Sequence, residues 1–414
     1  MKKNSFNVEK QNSARTIIQD CALDMAQHYN HLVLEFSTGV GKSLSAIKII
    51  QQIIDSDAKA TGFIVCKEKT HRKNWIEEFE KHGYTHLLNN ITIILYASAK
   101  KITKSDFLIL DECHSLTDKR TKLIKPLIYR ETKVLYLSAT IEDNKKEFIA
   151  LISRNTAYYY KIPLTEAIDL GLLPTPKVVV HKIKMNKGNT RKNVFVMKKG
   201  KGKNKVKCNY HERWSKFNAY SDLTLSVCCN DHEYYELLTG QMAYYKEAAF
   251  NGNVKYRTAC RNKFLNIGSK RKKFIASTKT KAANNIVDSF RKDNHRFICF
   301  TGSIDQAKEI GAESAIHSKN SSTHNQELVD CFNQRQCEEL FAVKMLREGV
   351  NLTEVHKGIV VQLDSTIGSF YQMLGRCLRH EFPEIHLIIV EDTQDEVYFS
   401  SAMSDFDMKY VTNG

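Results

Sequence analysis

Short apolar segments alternate with segments of helical spacing along most of the chain, and this alternation limits the possible folds more than any other feature. In the first series, the segments predicted to be buried strands are His31–Phe36, Gly62–Cys66, Ile91–Tyr96, Phe107–Leu110 and Val134–Leu137. A second series comprises Arg296–Thr301, Leu340–Val343, Gly358–Leu363 and Ile385–Val390. Continuous apolar strands separated by helices are typical of parallel sheets covered on both faces. The pattern therefore predicts an α/β protein with two parallel-sheet lobes in tandem.

Positive charge is concentrated between the two series of strands. The chain has 62 Lys+Arg and 46 Asp+Glu, yet residues 181–281 contain 24 of the basic residues and only 6 of the acidic ones. Aromatic residues are interleaved with this charge. Clustered cations neutralise phosphates and aromatic rings stack on bases, so we predict a nucleic-acid contact at Lys198, Lys199, Lys201 and Lys203. The alternative is a solvated lysine-rich loop without a ligand.

Cysteine content and hydropathy exclude several protein classes. Eleven cysteines is an odd number, and their spacing forms no regular framework, which predicts reduced thiols in a cytosol-like compartment. We expect this compartment to be the cytoplasm of a bacterium or of a phage-infected cell. No apolar run approaches the ~20 residues that span a bilayer. The N-terminal residues include no apolar stretch of the kind found in secretion signals. We therefore expect neither a membrane-bound nor a secreted protein.

A glycine-containing segment, Ser37–Ser43, lies between a predicted strand and a predicted helix at Leu44–Ile54. Glycines let backbone N–H groups approach a phosphate, and a helix N-terminus adds positive potential there. The sequence therefore predicts a nucleotide-binding loop. Its members are Thr38, Gly39, Val40, Gly41, Lys42 and Ser43, with Lys42 on the β- and γ-phosphates of ATP and the Ser43 hydroxyl on Mg²⁺. The general pattern has another glycine where this chain has Phe36.

Two adjacent carboxylates, Asp111 and Glu112, follow the apolar segment Phe107–Leu110. At the carboxyl end of a strand, one carboxylate can hold Mg²⁺ while its neighbour activates the attacking water. The order of the loop at Lys42 followed by this pair predicts ATP hydrolysis.

The motif order resembles that of superfamily 2 helicases and translocases of the DExH type, from about residue 11 to 391. The segment Gly375–Arg379 is most similar to the branch containing excision-repair, restriction-motor and phage recombination helicases. This resemblance implies two RecA-like lobes that use ATP and Mg²⁺. It also implies an adenine-reading motif at Arg15 and Gln19, and a coupling motif at Ser138, Ala139 and Thr140.

Further motifs carry the resemblance into nucleic-acid contacts and the second lobe. Lys69 and Trp75, in the segment before His82, and Ser98 resemble residues that hold a nucleic-acid backbone, as does Thr301. Gly349 belongs to a segment that resembles the motif Glu-Gly-hydrophobic-Asp-Leu, with Asn351 in place of the acid. Gln372, Arg376 and Arg379 match a Gln-x-x-Gly-Arg-x-x-Arg motif, and the resemblance implies that both arginines reach the γ-phosphate from the second lobe.

These patterns divide the chain into four parts. Residues 1–160 are the predicted first lobe, 161–182 a linker or the start of the second lobe, 183–270 the basic insertion, and 271–414 the second lobe. We expect an ATP-dependent DNA helicase or translocase that acts as a monomer in replication, recombination or repair. Its track is a single DNA strand, within branched or duplex DNA. The alternatives are a duplex-DNA motor of a restriction or defence system, an RNA helicase, and a non-catalytic nucleic-acid clamp.

The basic insertion also contains two Cys-x-x-His pairs, Cys208 with His211 and Cys229 with His232. Four such ligands have the composition of a structural zinc site. With 15 His and 11 Cys in the chain, chance pairs of this spacing are expected. We therefore do not predict zinc.

Overall fold

The first lobe is built on a six-stranded sheet in which all neighbouring strands are parallel. The computed structural model describes residues 8–188, 193–250, 254–312, 315–343, 352–363, 373–375, 377, 380–404 and 406–414. The strands are β1 (His31–Phe36), β2 (Gly62–Cys66), β3 (Ile91–Leu95), β4 (Phe107–Leu110), β5 (Lys133–Ser138) and β6 (Tyr158–Ile162). Their order in the sheet is β3-β2-β4-β5-β1-β6. Because β4 lies inside the sheet and is wholly buried, its end places Asp111 and Glu112 near the centre of the sheet edge.

Helices cover both faces of this sheet, as parallel connections require. They are α1 (Val8–His28), α2 (Lys42–Ser56), α3 (Lys69–Lys81), α4 (Asp118–Ile124), α5 (Asp143–Ser153) and α6 (Leu164–Asp169). Short 3₁₀ helices lie at Thr85–Asn90, Tyr96–Lys101, Cys113–Ser115 and Lys125–Leu127. Alternate residues of the strands enter two separate apolar cores, with Leu34 on one face of β1 and Val33 on the other.

The strand β7 (Lys177–Ile183) precedes a small subdomain that forms most of the basic insertion. This subdomain contains β8 (Asn193–Lys199), β9 (Asn204–Asn209), β10 (Leu223–Cys229), a 3₁₀ turn at Tyr210–Glu212, α7 (Arg213–Asn218), α8 (Asp231–Ala248) and α9 (Val254–Thr278). The strand β10 lies between β8 and β9 and alternates buried and partly exposed residues along most of its length. Asn230 and Glu233 form a reciprocal capping box that starts α8. The insertion therefore has a folded core of its own.

The second lobe repeats the architecture of the first. It contains α10 (Thr280–Lys292), β11 (Phe297–Thr301), α11 (Ile304–Glu309), α12 (Ser322–Asn333), β12 (Glu339–Val343), β13 (Lys357–Val360), β14 (Glu384–Val390), α13 (Gln394–Ala402), a 3₁₀ turn at Met408–Tyr410 and β15 (Val411–Asn413). The sheet order is β12-β11-β13-β14-β7-β15, again with parallel neighbours. The strand β7 belongs to this sheet although the insertion separates it from the others in sequence.

The two parallel sheets confirm the predicted α/β fold with two lobes in tandem. Every segment that the sequence predicted as a strand is one, with ends that differ by a few residues. In the described ranges, no helix has both the length and the apolar character that crossing a membrane requires.

Candidate ATP and nucleic-acid sites

The loop between β1 and α2 has the backbone of a phosphate cradle. Gly39 has φ +93° and Gly41 has φ +112°, a region that residues with a Cβ rarely adopt. Gly41 is the N-cap of α2, and no side chain caps the helix there. The first N–H groups of α2 are thus left for another acceptor, and a bound phosphate fits that need. The residues present therefore suit a nucleotide phosphate.

Lys42 is the first residue of α2, and its ammonium group lies against the end of β1. Nζ donates to the carbonyl oxygen of Phe36 over 2.6 Å. Burial lowers the pKa of Lys42, while the negative charges of Glu112 and Asp111 act to raise it. The ammonium group of Lys42 and the carboxylates of Asp111 and Glu112 therefore interact electrostatically.

The carboxylate pair follows β4 on the same sheet edge. Burial, and after it the neighbouring charge of Glu112, raises the pKa of Asp111 to about 6. The backbone N–H of Glu112 donates to Asp111 Oδ1 over 3.0 Å, and Glu112 itself has φ +49°. The unusual backbone at Glu112 turns the chain directly after the strand, so two adjacent carboxyl groups face different surroundings.

Two side chains of α3 face the other oxygen of Asp111. The indole N–H of Trp75 donates to Asp111 Oδ2 over 2.9 Å, and His71 Nδ1 lies 3.9 Å from the same oxygen. Trp75 is 3% exposed and His71 is 4% exposed. The sequence predicts that Trp75 contacts a nucleic-acid backbone, but the ring is buried and its N–H points toward Asp111. Spacing alone could not reveal this, because it does not indicate which face of α3 packs inward.

Glu112 is linked through His114 to the segment predicted to couple hydrolysis to movement. Glu112 Oε2 lies 3.1 Å from His114 Nδ1, and the same nitrogen lies 3.1 Å from Ser138 Oγ. The Ser138 hydroxyl donates to the carbonyl oxygen of Thr140 over 2.7 Å. Ala139 lies between these two residues at the end of β5. The structure thus brings the carboxylate pair and this segment together.

The helix α1 contributes two polar side chains to the surroundings of the loop. Arg15 donates through Nη2 to the carbonyl oxygen of Gly39 over 3.2 Å, and burial lowers the pKa of its guanidinium. The amide nitrogen of Gln19 lies 3.4 Å from where a Cβ of Gly41 would be. Arg15 and Gln19, the two predicted adenine-reading residues, therefore lie beside the loop between β1 and α2.

The second lobe approaches the loop at Gly375. A Cβ added to Gly375 would lie 2.7 Å from Thr38 Cβ, so only glycine fits this distance without a shift. The adjacent Met373 and Leu374 are buried. Gln372, Arg376, Arg379 and Gly349 lie outside the described residues. The contact between Thr38 and Gly375 nevertheless brings this part of the second lobe against the nucleotide loop.

The candidate nucleic-acid contacts of the lobes differ in accessibility. Lys69 is exposed at the start of α3, and Ser98 is half-buried in the 3₁₀ helix after β3. Thr301 is buried at the end of β11, and its hydroxyl lies 3.3 Å from the carbonyl oxygen of Ser303 and 3.4 Å from that of Ala342. Lys69 and Ser98 can reach a ligand, whereas the Thr301 side chain supports its own loop.

The four candidate lysines of the basic insertion lie at the end of β8 and in the turn that follows. Lys198, Lys201 and Lys203 are exposed, while Lys199 lies over the ring of Phe217 with Nζ 5.4 Å from the ring centre. Gly200 and Gly202 have φ +61° and +70°, which folds this turn tightly. Three ammonium groups are therefore free of the insertion's core and face solvent.

The Cys-x-x-His pairs lie near one another in the insertion, but their histidines have carboxylate neighbours. Cys208 and Cys229 are buried in β9 and β10. His211 lies 3.6 Å from Glu233, and His232 lies 3.9 Å from Glu236. Within the described ranges, no group of three or more His, Cys, Asp or Glu side chains has a geometry that could hold a metal ion.

Comparison with known proteins gives the fold a family context. Residues 278–381 match the helicase conserved C-terminal domain. The DUF1998 helicase MrfA bound to DNA is similar in structure, with a TM-score of 0.58 and 12% identity over 94% of this chain and 48% of that one. Dbp5 of S. cerevisiae bound to RNA and ADP BeF3 has a TM-score of 0.54 and 12% identity, over 93% and 85% of the two chains.

The helicase domain of Hef from Pyrococcus furiosus has a TM-score of 0.50 and 14% identity, over 93% of this chain and 97% of that one. No curated protein matches the chain. The architecture shared with these structures is a fold of two RecA-like α/β lobes in tandem. Together with the helicase C-terminal domain in the second lobe, it indicates an ATP-dependent nucleic-acid helicase or ATPase.

Proposed function

Starting from a helicase C-terminal domain on a two-lobe RecA-like fold, we propose that the chain is an ATP-dependent DNA helicase or translocase of the DExH type. Its task is to move on or remodel branched or duplex DNA in replication, recombination or repair. The observation that carries the proposal is the convergence of three elements. The glycine loop, the carboxylate pair and the Gly375 segment of the second lobe all meet around Lys42 and Thr38.

In this proposal ATP binds between the lobes, with its phosphates on the loop from Gly39 to Ser43. Ser43 and Asp111 would hold Mg²⁺, which would neutralise phosphate charge there. Glu112 accepts the proton of the attacking water. Arg376 and Arg379 stabilise the charge of the transition state, by resemblance to the family motif. Because those arginines belong to the second lobe, hydrolysis requires the lobes to be closed.

The residues around the carboxylate pair have positioning roles. Trp75 fixes the orientation of the Asp111 carboxylate, since its N–H occupies one lone pair of Oδ2. His114 connects Glu112 with Ser138, so a change at the carboxylate pair reaches the segment Ser138–Thr140. We propose that this connection couples hydrolysis to movement of the lobes.

The nucleic-acid track in this proposal runs over the strand ends of the lobes, with Lys69 and Ser98 as contacts. The exposed lysines Lys198, Lys201 and Lys203 bind phosphates of the duplex or branch beyond that track. MrfA, a structural neighbour, was bound to DNA, which supports DNA as the polymer. The eleven free thiols support a reducing compartment, namely the cytoplasm of a bacterium or a phage-infected cell.

This proposal is tested by measuring steady-state ATPase activity without nucleic acid and in the presence of single-stranded DNA, duplex DNA, forked DNA or RNA. We expect the strongest stimulation by forked or duplex DNA. The Lys42→Ala protein is the control, since it must lose the stimulated activity and keep nucleic-acid affinity. No stimulation by any polymer would contradict the motor and favour a non-catalytic clamp.

Further outcomes of the ATPase and strand-displacement measurements distinguish two alternative functions, a restriction or defence motor and an RNA helicase. A restriction or defence motor would be stimulated by duplex DNA but would not displace a strand from a forked substrate. An RNA helicase has a specific observation in its favour, because Dbp5 was bound to RNA. Stimulation by RNA alone would establish that alternative. Light scattering in solution tests the proposed monomeric state.

A further inference from the structure

The end of α12 brings two cysteines together through a well-formed helix-terminating turn. The last helical residue is Asn333, and Arg335 has φ +58° in the left-handed region. The N–H of Gln336 donates to the carbonyl oxygen of Cys331 over 2.9 Å, and the N–H of Arg335 to that of Phe332 over 3.1 Å. This pair of bonds is the Schellman arrangement, which folds the chain back over the last helical turn. Cys337 therefore returns to the side of α12 that carries Cys331.

The two sulfur atoms are in direct contact. Cys331 Sγ lies 3.2 Å from Cys337 Sγ, and both residues are free thiols. Each is partly exposed, so a small reagent can reach the pair from solvent. A disulfide bond is about 2 Å long, so its formation requires the sulfurs to approach by only ~1 Å.

A buried arginine holds the turn in this shape. Arg296 is 2% exposed, and its guanidinium donates to the carbonyl oxygens of Phe332 and Cys337, the latter over 3.2 Å. It also donates to the carbonyl oxygen of Thr353 over 3.4 Å. These carbonyls lie on both sides of the turn, so the guanidinium connects the helix end with the entry to β12. The guanidinium therefore holds the backbone that carries the two thiols.

We propose that Cys331 and Cys337 form a reversible dithiol–disulfide pair that reacts with small-molecule disulfides. In the first step the Cys331 thiolate attacks a disulfide RSSR, forming Cys331–S–S–R and releasing RS⁻. In the second step Cys337 gives its proton to RS⁻ and attacks the Cys331 sulfur, releasing a second RS⁻ that is protonated by solvent. The two thiols lose two electrons, and RSSR gains two electrons to become two RSH molecules.

Burial, together with the contact from Cys331, raises the pKa of Cys337 to about 12, which favours Cys331 as the sulfur that attacks first. The second step is intramolecular between groups already in contact, which strongly favours it over exchange with another molecule. The disulfide would fasten the end of α12 to the entry of β12, and this part of the second lobe would then respond to the thiol–disulfide balance around it.

The sequence provides a direct readout, because Arg335 lies between the two cysteines. The full-length chain is treated with oxidised glutathione, remaining thiols are alkylated, and the protein is digested with trypsin, which cleaves after Arg335. We expect the peptide ending at Arg335 and the peptide starting at Gln336 to remain joined until a reductant is added. Cys21→Ser, which removes an exposed single thiol in α1, is the matched control and must keep the link.

Two single variants and a denatured sample complete the test. In Cys331→Ser or Cys337→Ser the link must vanish, and the remaining cysteine must be recovered with glutathione or the alkyl group. In urea the link should form at least tenfold more slowly, because the turn that holds the thiols is lost. Recovery of Cys331 and Cys337 in separate peptides, under conditions in which Cys21 is fully glutathionylated, would overturn the proposal. Formation of the link at an equal rate in urea would also overturn it.

Discussion

The indole N–H of Trp75 donates to the carboxylate of Asp111 over 2.9 Å, which ties helix α3 to the carboxylate pair at the end of β4. His71 lies one turn earlier on the same helix face and approaches the same oxygen. The opposite face of α3 bears the exposed cations Lys69 and Lys73, and the exposed Arg72 lies on the flank between the two faces. One helix therefore has a cationic face that suits a nucleic-acid backbone and a buried face that contacts the carboxylate of Asp111.

Trp75→Phe tests this connection, since phenylalanine retains an aromatic ring but has no N–H. A hydrogen bond to a charged group contributes about 1.5–3 kcal/mol, so we expect kcat for ATP to fall ~10–100-fold while KM changes little. Trp214→Phe, at an exposed position in the basic insertion, is the control and should keep kcat. An unaltered kcat in Trp75→Phe would show that Asp111 does not depend on this donor.

Glu112→Gln keeps the size of the side chain and removes its ability to accept a proton. Loss of a general base lowers turnover by roughly 10²–10⁴-fold, so hydrolysis should nearly cease. Binding of a fluorescent ATP analogue and of DNA should persist, because neither requires that proton transfer. Glu131→Gln, at an exposed glutamate of the same lobe, should behave as the unaltered protein. Normal hydrolysis by Glu112→Gln would remove this residue from the site.

Gly375→Ala tests the close approach of the lobes. The added methyl group would lie 2.7 Å from Thr38 Cβ, so the second lobe must move away from the nucleotide loop. We expect at least a tenfold lower stimulated ATPase rate, measured at saturating ATP and DNA. Gly240→Ala, in α8, is the matched control because no atom lies within 4 Å of its added carbon. Equal rates in both variants would mean that this contact is not needed for turnover.

Lys279→Met tests a buried ion pair that joins the start of the second lobe to α13. Lys279 Nζ lies 2.5 Å from Asp395 Oδ2, and both side chains are fully buried. Removing one partner leaves an uncompensated charge, which typically costs about 3–5 kcal/mol of the free energy of unfolding. Urea unfolding measures this loss, with the exposed Lys281→Met as the control. The double variant Lys279→Met/Asp395→Leu should recover most of the stability, and a failure to recover would point to lost packing.

The triple variant Lys198→Gln/Lys201→Gln/Lys203→Gln tests the role of the basic insertion. Each lysine that neutralises a phosphate adds ~0.9 to the slope of log affinity for duplex DNA against log salt. We expect the slope to fall by ~2–3 and affinity at low salt to fall with it. A control with the same charge change, Lys59→Gln/Lys119→Gln/Lys125→Gln, alters exposed lysines of the first lobe. Equal slopes in the two triple variants would leave the insertion without its proposed contacts.

Local patterns predicted much of the architecture. The apolar segments Gly62–Cys66 and Phe107–Leu110 form buried strands as expected, because a parallel sheet covered on both faces requires uninterrupted apolar runs. The loop at Gly39–Lys42 was also predictable, since its glycines are only two positions apart in sequence and adopt the backbone that only glycine adopts easily. The insertion was predicted as a basic segment, but its three-stranded sheet was not, since β8, β9 and β10 alternate too weakly to stand out from their charge.

The sequence by itself determined the order of the nine predicted strands, the glycine loop and the position of the carboxylate pair after a strand. Each of these depends on residues close together in the chain, where propensity and backbone sterics act directly. Tertiary structure alone decided that Trp75 faces Asp111, that Gly375 meets Thr38, and that β7 joins the second sheet. Those relationships join residues 36 to more than 300 positions apart. They follow from the packing of whole helices and lobes, which no local pattern encodes.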